Sequence, residues 1–335
     1  PGGFLPKVLL GFQAKTFSYD RNKVDDYSLR FYRLMPQVRA SLRSPSPSFN
    51  HDLILRTLLI GKEEAKYTVD GFQGKDWHKA TIYEARYELR ERKLPNPFQG
   101  SVALEWQDYK ASDGQPASYL RGSLEWKQQF YYSPKGKVYA RFFAGYFLKN
   151  TQRHRGAVAS NSLSDDLARA SFALNPQGFN DYRFDQIILG RSEDEGFLSR
   201  QVSQTEGGFK NAFGAPFAGV LGNSNSFILA LNLKASLPKR LPLGIPLKPY
   251  FDIGYFDDAT PLGTDRPFKE QFLWSGGLML DFFNGALEVY FPLVNAKPIQ
   301  DRYSELAGKN YRRRISWSIR LGRVTPMDVV RNISN

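Results

Sequence analysis

The stretch Glu270 to Val289, EQFLWSGGLMLDFFNGALEV, decides the fold. It holds two runs of alternating hydrophobicity joined by Asn284-Gly285, and the alternation keeps its phase through the turn. Phe272, Trp274, Leu278, Leu280 and Phe282 fall on one face of the first run, with Gln271, Ser275 and Asp281 on the other. A two-residue type I′ loop at Asn-Gly pairs Phe282 with Leu287 and Leu280 with Val289, and sets Asp281 opposite Glu288. One face is therefore apolar across both strands and the other polar. The pattern predicts a membrane β-hairpin with lipid on one side and a polar interior on the other.

The same period recurs along most of the 335 residues. Twelve strands are predicted: approximately Lys7 to Ser18, Tyr27 to Arg43, His51 to Val69, Trp77 to Glu91, Phe98 to Tyr109, Ser118 to Tyr132, Lys137 to Lys149, Ser226 to Leu237, Leu247 to Phe256, Gln271 to Phe283, Ala286 to Phe291 and Tyr311 to Leu321. In the sixth, Leu120, Leu124, Trp126 and Phe130 oppose Arg121, Ser123, Glu125, Lys127 and Gln129. With both termini periplasmic, the inward turns SPSPSFN, LPNPF, SPKG, PKRLPLGIP and NG are compact and rich in turn formers. The outward loops are longer, the longest running from Asn150 to Asn225. The expectation is one all-β domain over 1–335, a closed antiparallel transmembrane β-barrel of twelve strands, with a loop over about 150–225 that covers or plugs it and a periplasmic tail over 322–335. Ten or fourteen strands are the nearest alternatives, and a soluble sandwich or propeller the other class.

Composition narrows the function. No apolar run reaches the 18 or so residues of a helical span. Aromatic residues make up 15%, with Phe 26 and Tyr 18, a richness suited to interfacial girdles, where Trp106, Trp126, Trp274 and Trp317 are placed. Cysteine is absent, which removes thiolate nucleophiles, thiolate metal sites and disulfides. The net charge of +13 is spread along the strands at Arg121, Lys127, Arg141, Lys234, Arg314 and Arg320 rather than gathered in one helix or tail. It suits a polar interior and an anionic lipid surface better than nucleic acid. Arg312 and Arg313, at the external start of the last predicted strand, are candidate contacts for lipopolysaccharide phosphates. The opening PGGFLPKVLL has no charged segment followed by an apolar one, so no signal peptide is read in it.

No catalytic constellation is read in the chain, and no cofactor is expected. His51, His78 and His154 are scattered and do not share metal-ligand spacing. Asp257-Asp258 and Ser192 to Glu195 lack an EF-hand pattern and read as solvated loop charge.

Over about Ile187 to Arg323 the chain runs through LGR and GF elements in the long loop, NSFILALNLKASLP, LKPYFDIGYF, a Gly-rich strand, the Asn-Gly hairpin with LEVYFPL and the closing ISWSIRLG. This order of features resembles the Omp85 or bacterial surface-antigen superfamily. The resemblance implies a loop folded into the barrel, whose RGF-type arginine pairs with acids on the wall. Gly190, Arg191, Gly196 and Phe197 match that motif best, although SEDEG separates Arg191 from Phe197. Asp252 of FDIGY resembles the superfamily's FxDxG position, and Asp281 is another inward acid available as a partner. More narrowly, YFPLVNAKPIQDR, the GRSEDEGF to EGGF block and the tail RRRISWSIRLGRVTPMDVVRNIS resemble the barrel that follows some M1-family zinc metallopeptidases of Gram-negative bacteria. That resemblance implies an anchor for a peptidase domain, since the chain itself contains no HExxH. The alternatives are a barrel that translocates or inserts polypeptide, and a passive pore.

Overall fold

The computed structural model describes residues 7–22, 26–44, 46, 48–91, 96–110, 116–134, 136–151, 171–175, 187–190, 196–213, 221–237, 245–257, 271–283, 285–308 and 310–320. The alternating runs form β1 (Lys7–Asn22), β2 (Tyr27–Leu42), β3 (Phe49–Thr68), β4 (Gly71–Glu91), β5 (Phe98–Lys110), β6 (Pro116–Tyr131) and β7 (Lys137–Asn150). Two short strands, β8 (Phe172–Ala173) and β9 (Asn223–Ser224), pair only with each other. The series resumes with β10 (Phe227–Ala235), β11 (Leu247–Phe256), β12 (Phe272–Phe282), β13 (Leu287–Asn295) and β14 (Ser316–Ile319). All but β8 and β9 belong to one 12-stranded sheet in chain order, with every neighbour antiparallel.

The deciding hairpin has the register that its alternation requires: Phe282 faces Leu287, Asp281 faces Glu288 and Leu280 faces Val289. Its turn is wider than a two-residue loop. The ladder stops at Phe282 and Leu287, and the positive φ angles fall on Phe283 (52°) and Gly285 (86°). Asn284 lies outside the described residues.

The expected closed barrel is overturned. β1 pairs with β2 and β14 with β13, and among the described residues no ladder joins β1 to β14. Two local features account for this. Tyr311–Arg314, read from the sequence as the start of the last strand, is a 3-10 turn, which leaves β14 with only 4 residues against 16 in β1. The free edge of β14 is also engaged from within the chain: Gln201 bridges Trp317 in parallel, and the Val202 N–H donates to the Trp317 carbonyl at 2.8 Å. Among the described residues the large sheet is antiparallel, has twelve strands and is not closed.

The two faces of the sheet differ in what covers them. On one, Leu55, Tyr83, Leu104, Trp106, Leu124, Tyr255 and Phe272 are exposed, and Leu229 is 41% exposed beside half-buried Leu231 and Leu233. Between β1 and β6 this face dips into an apolar depression of about 680 Å³ lined by Leu10, Val38, Leu55, Tyr83, Leu104 and Trp106. The other face is covered. Phe143, Phe147, Ile228, Phe256 and Leu273 pack there with Phe172, Leu174, Phe209, Phe213 and Leu221 of the long loop. A helix, α1 (Lys297–Ala307), lies in the stretch read as an outward loop and adds Ile299 and Tyr303 to that core. No helix among the described residues is long and apolar enough to cross a membrane.

Candidate functional site

The site is the line of contacts that residues 196–213 make across the covered face, reaching every strand of the large sheet from β6 to β14. Alternation in β6, β7, β10, β11, β12 and β13 aims Arg121, Arg141, Asn232, Asp252, Ser275 and Glu288 to that face. The loop meets each with a partner of matching chemistry.

At the β6 end Arg121 forks onto Glu105, with Nε at 2.9 Å from Oε1 and a terminal nitrogen at 3.1 Å from Oε2, while its other terminal nitrogen lies 3.1 Å from Glu206 of the loop. The second Glu206 oxygen accepts the Ala173 N–H at 3.2 Å, which ties β8 to the same acid. Arg141 pairs with Glu125 at 2.6 Å and donates to the Glu206 carbonyl. A planar guanidinium suits this role because its fork serves two acceptors at once.

At the centre Asp252 is fully buried. Its carboxylate accepts the Lys210 ammonium at 2.5 Å, the Lys210 backbone N–H at 2.8 Å and the Asn232 amide at 3.0 Å. A buried charge is tolerated only when paired and hydrogen-bonded in this way. Asn211 donates to Ser275 and, at 3.0 Å, to Asn295, and Ser316 of β14 donates to the Lys210 carbonyl at 2.6 Å. Toward the opposite end Gln204 donates to Tyr290 and to Glu288, and accepts from Arg320. Glu288 also takes Lys234 at 2.5 Å.

Of the residues singled out in the sequence, Asp252 and Asp281 both lie on the covered face but do not share a partner. Asp281 takes Lys248 at 2.5 Å and Lys234 at 3.6 Å, all three being sheet residues. Arg191 lies outside the described residues, as does the tail over 322–335. Phe197 goes elsewhere: its ring stacks on Trp317 at 5.9 Å, and its carbonyl accepts the Trp317 indole N–H at 2.9 Å. Trp317 is thereby covered and only 4% exposed. Trp106 and Trp126 remain on the bare face, the former stacked on Tyr83, and Trp274 stacks on Phe251 on the same face. Arg312 and Arg313 are exposed on the 3-10 turn, where the Arg312 carbonyl accepts from Arg200 at 2.6 Å. Burial, together with the nearby charge of Arg313, lowers the Arg200 guanidinium below its ordinary range.

Lys210, Glu206, Gln204 and Gln201 were not singled out from the sequence. Gln201 is 1% exposed, and its side-chain oxygen accepts the N–H groups of Ile188, Leu189 and Gly190 at 3.0, 2.8 and 2.9 Å. None of these residues sits in a periodic run, and the sheet partners of Lys210, Glu206 and Gln204 lie far away in sequence.

Among the described residues no group of three or more His, Asp and Glu is placed to hold a metal. His51 hydrogen-bonds Tyr87 at 2.5 Å, His78 lies 3.2 Å from Glu64, and His154 is outside the described residues.

No family model matches the chain, and no curated protein sequence does. Among solved structures, CdiB from Escherichia coli shows a distant and partial likeness, with a TM-score of 0.40 and 12% identity over 87% of this chain. The chain spans 47% of the length of that structure.

Proposed function

We propose that the chain is a bacterial outer-membrane β-protein that handles polypeptide at the edge of its sheet, as an Omp85-like translocation or insertion protein does. One observation carries this reading: a sheet with a bare apolar face ends in β1, a strand of 16 residues whose only ladder among the described residues is with β2. Hydrocarbon covers such a face at no cost, whereas water does not. An unpaired backbone group at membrane depth costs several kcal/mol. An edge at that depth therefore favours any extended strand that supplies the missing hydrogen bonds, and polypeptide does so by β-augmentation. The residues 171–175 and 201–213 packed on the covered face favour this over a passive pore.

The chain lacks cysteine, so a single introduced thiol reports cleanly. In liposomes, a photo-crosslinker on Leu10→Cys in β1 is expected to capture an unfolded peptide of alternating apolar and polar residues. The same label on Leu229→Cys in the middle of the sheet is the control. Equal capture at both positions defeats the reading. Single-channel conductance without any adduct at β1 replaces it by the passive pore.

Anchoring of a peptidase domain, implied by the tail resemblance, needs no client at β1. The result that would support it instead is an HExxH domain found in contiguous polypeptide together with no capture at β1. The exposed Arg312 and Arg313, with Arg200 beside them, are proposed contacts for lipopolysaccharide phosphates.

A further inference from the structure

The edge of β14 is covered by a short piece of the same chain, and the way it is held differs from every other junction in the sheet. The eleven neighbour pairs of the large sheet are all antiparallel ladders, and even the short β13–β14 ladder carries four registered pairs. The segment on the free edge of β14 makes a single parallel bridge, Gln201 to Trp317. Parallel pairing is the weaker geometry per residue, and one bridge has no ladder to support it. Phe197 stacks on Trp317, yet Phe197 is 46% and Leu198 42% exposed. Further anchors include the Trp317 indole bond to the Phe197 carbonyl and the Arg200 bond to the Arg312 carbonyl, and at the C-terminal end the buried Val202 donates its backbone N–H to the Trp317 carbonyl at 2.8 Å.

The far end of the segment is fixed in a different way. Gln201 gathers three backbone N–H groups of 188–190 on one oxygen. Gly190 passes so close that a Cβ there would lie 2.6 Å from the Leu198 carbonyl oxygen. At its other end Gly196 has a φ of +82°, which turns the chain sharply, and a Cβ there would meet no described atom within 4 Å. The geometry is that of a strap: turned at Gly196, buckled at Gln201, and laid over a β14 edge that no other described strand pairs.

We propose that residues 196–202 are a releasable strap on the β14 edge, and that an extended polypeptide with an aromatic or aliphatic side chain opposite Trp317 displaces them. The inference deepens the polypeptide-handling reading and rests on it for the identity of the displacing strand. The strap itself can be tested without a membrane or a client.

The test uses the full chain in detergent micelles with bimane on Leu198→Cys, a fluorophore that a nearby indole quenches. With the strap in place, the label is dimmer than in a Trp317→Phe background. Gln201→Ala, which opens the buckle, is expected to raise emission by about twofold or more, as a mostly closed population becomes mostly open. A synthetic peptide of the strap's own sequence, GFLSRQVSQ, is expected to raise emission in the parent protein in a saturable way. It should bind more tightly to the Gln201→Ala variant. Should Gln201→Ala fail to fold, Phe197→Ala serves the same purpose. Equal brightness in the parent and the Trp317→Phe background overturns the placement of the strap. Emission that neither the peptide nor a folded variant changes overturns its release. The photo-crosslinking at β1 reads the client edge independently, so failure of one test leaves the other interpretable.

Discussion

Asp252 ties a loop to a wall through a charge with no access to water. Its partner ammonium at 2.5 Å is itself nearly buried, so removing either member leaves an unpaired charge in a dry site. Asp252→Ala is expected to cost about 3–5 kcal/mol, whereas Asp252→Leu with Lys210→Met recovers most of that, because an apolar pair has no desolvation penalty. Urea unfolding in detergent, followed by tryptophan fluorescence, measures both. Gly254 offers a second test at this scale. A Cβ there would meet Leu174 at 2.5 Å, so Gly254→Val is expected to destabilise by about 1–3 kcal/mol through overpacking. Asp252 was singled out through the resemblance of FDIGY to the Omp85 pattern, and the pattern of the strand alone places it only on the polar face. Lys210 was not, since it follows two glycines in an aperiodic stretch and meets its partner 42 residues away.

Elements were legible where alternation was long. The hairpin register of β12 and β13 follows from the phase of its apolar residues, and β11 runs from Leu247 to Phe256 as the alternation indicates. Where the pattern was short it misled. The arginines at 312–314 continue the polar side of a strand on paper, but Asn310 caps a 3-10 turn there by accepting the Arg312 N–H at 3.1 Å. Helix α1 left readable signs: Pro298 in its first turn, Gly308 at its end, and Ile299 and Tyr303 four residues apart on the buried side. They were masked by the expectation of a loop. Tyr303→Ala is expected to cost about 3 kcal/mol or more, as other buried aromatic truncations do, and to make α1 a protease site. Burial also pushes the Tyr303 phenol well above its ordinary range. The neutral form is thus favoured in the folded protein, so its contribution is intact below the unfolded pKa of about 10 and is lost as pH rises beyond it. An alkaline titration of α1 proteolysis should show this loss in the parent and not in Tyr303→Phe.

At the scale of the whole molecule, sequence pattern revealed two faces but not how the sheet ends. Alternation says which side each residue takes. It is silent on whether the first and last strands meet, because that depends on the length of β14 and on what already occupies its edge. The apolar face imposes the stronger constraint. Leu231→Arg, in the middle of β10, is expected to destabilise the membrane-embedded chain by about 2–4 kcal/mol if it sits near the midplane, and far less in water. Comparing unfolding in lipid vesicles for the parent and the variant tests this.

The most direct measurement of the central claim is the quenching of tryptophan emission by bromines placed at known depths in lipid acyl chains. The bare apolar face carries Trp106, Trp126 and Trp274, while Phe197 covers Trp317. With lipid against that face, acyl-chain bromines quench strongly, and Trp317→Phe changes the quenching little. A chain that stays soluble without detergent, and whose tryptophans ignore brominated lipid, would contradict the account.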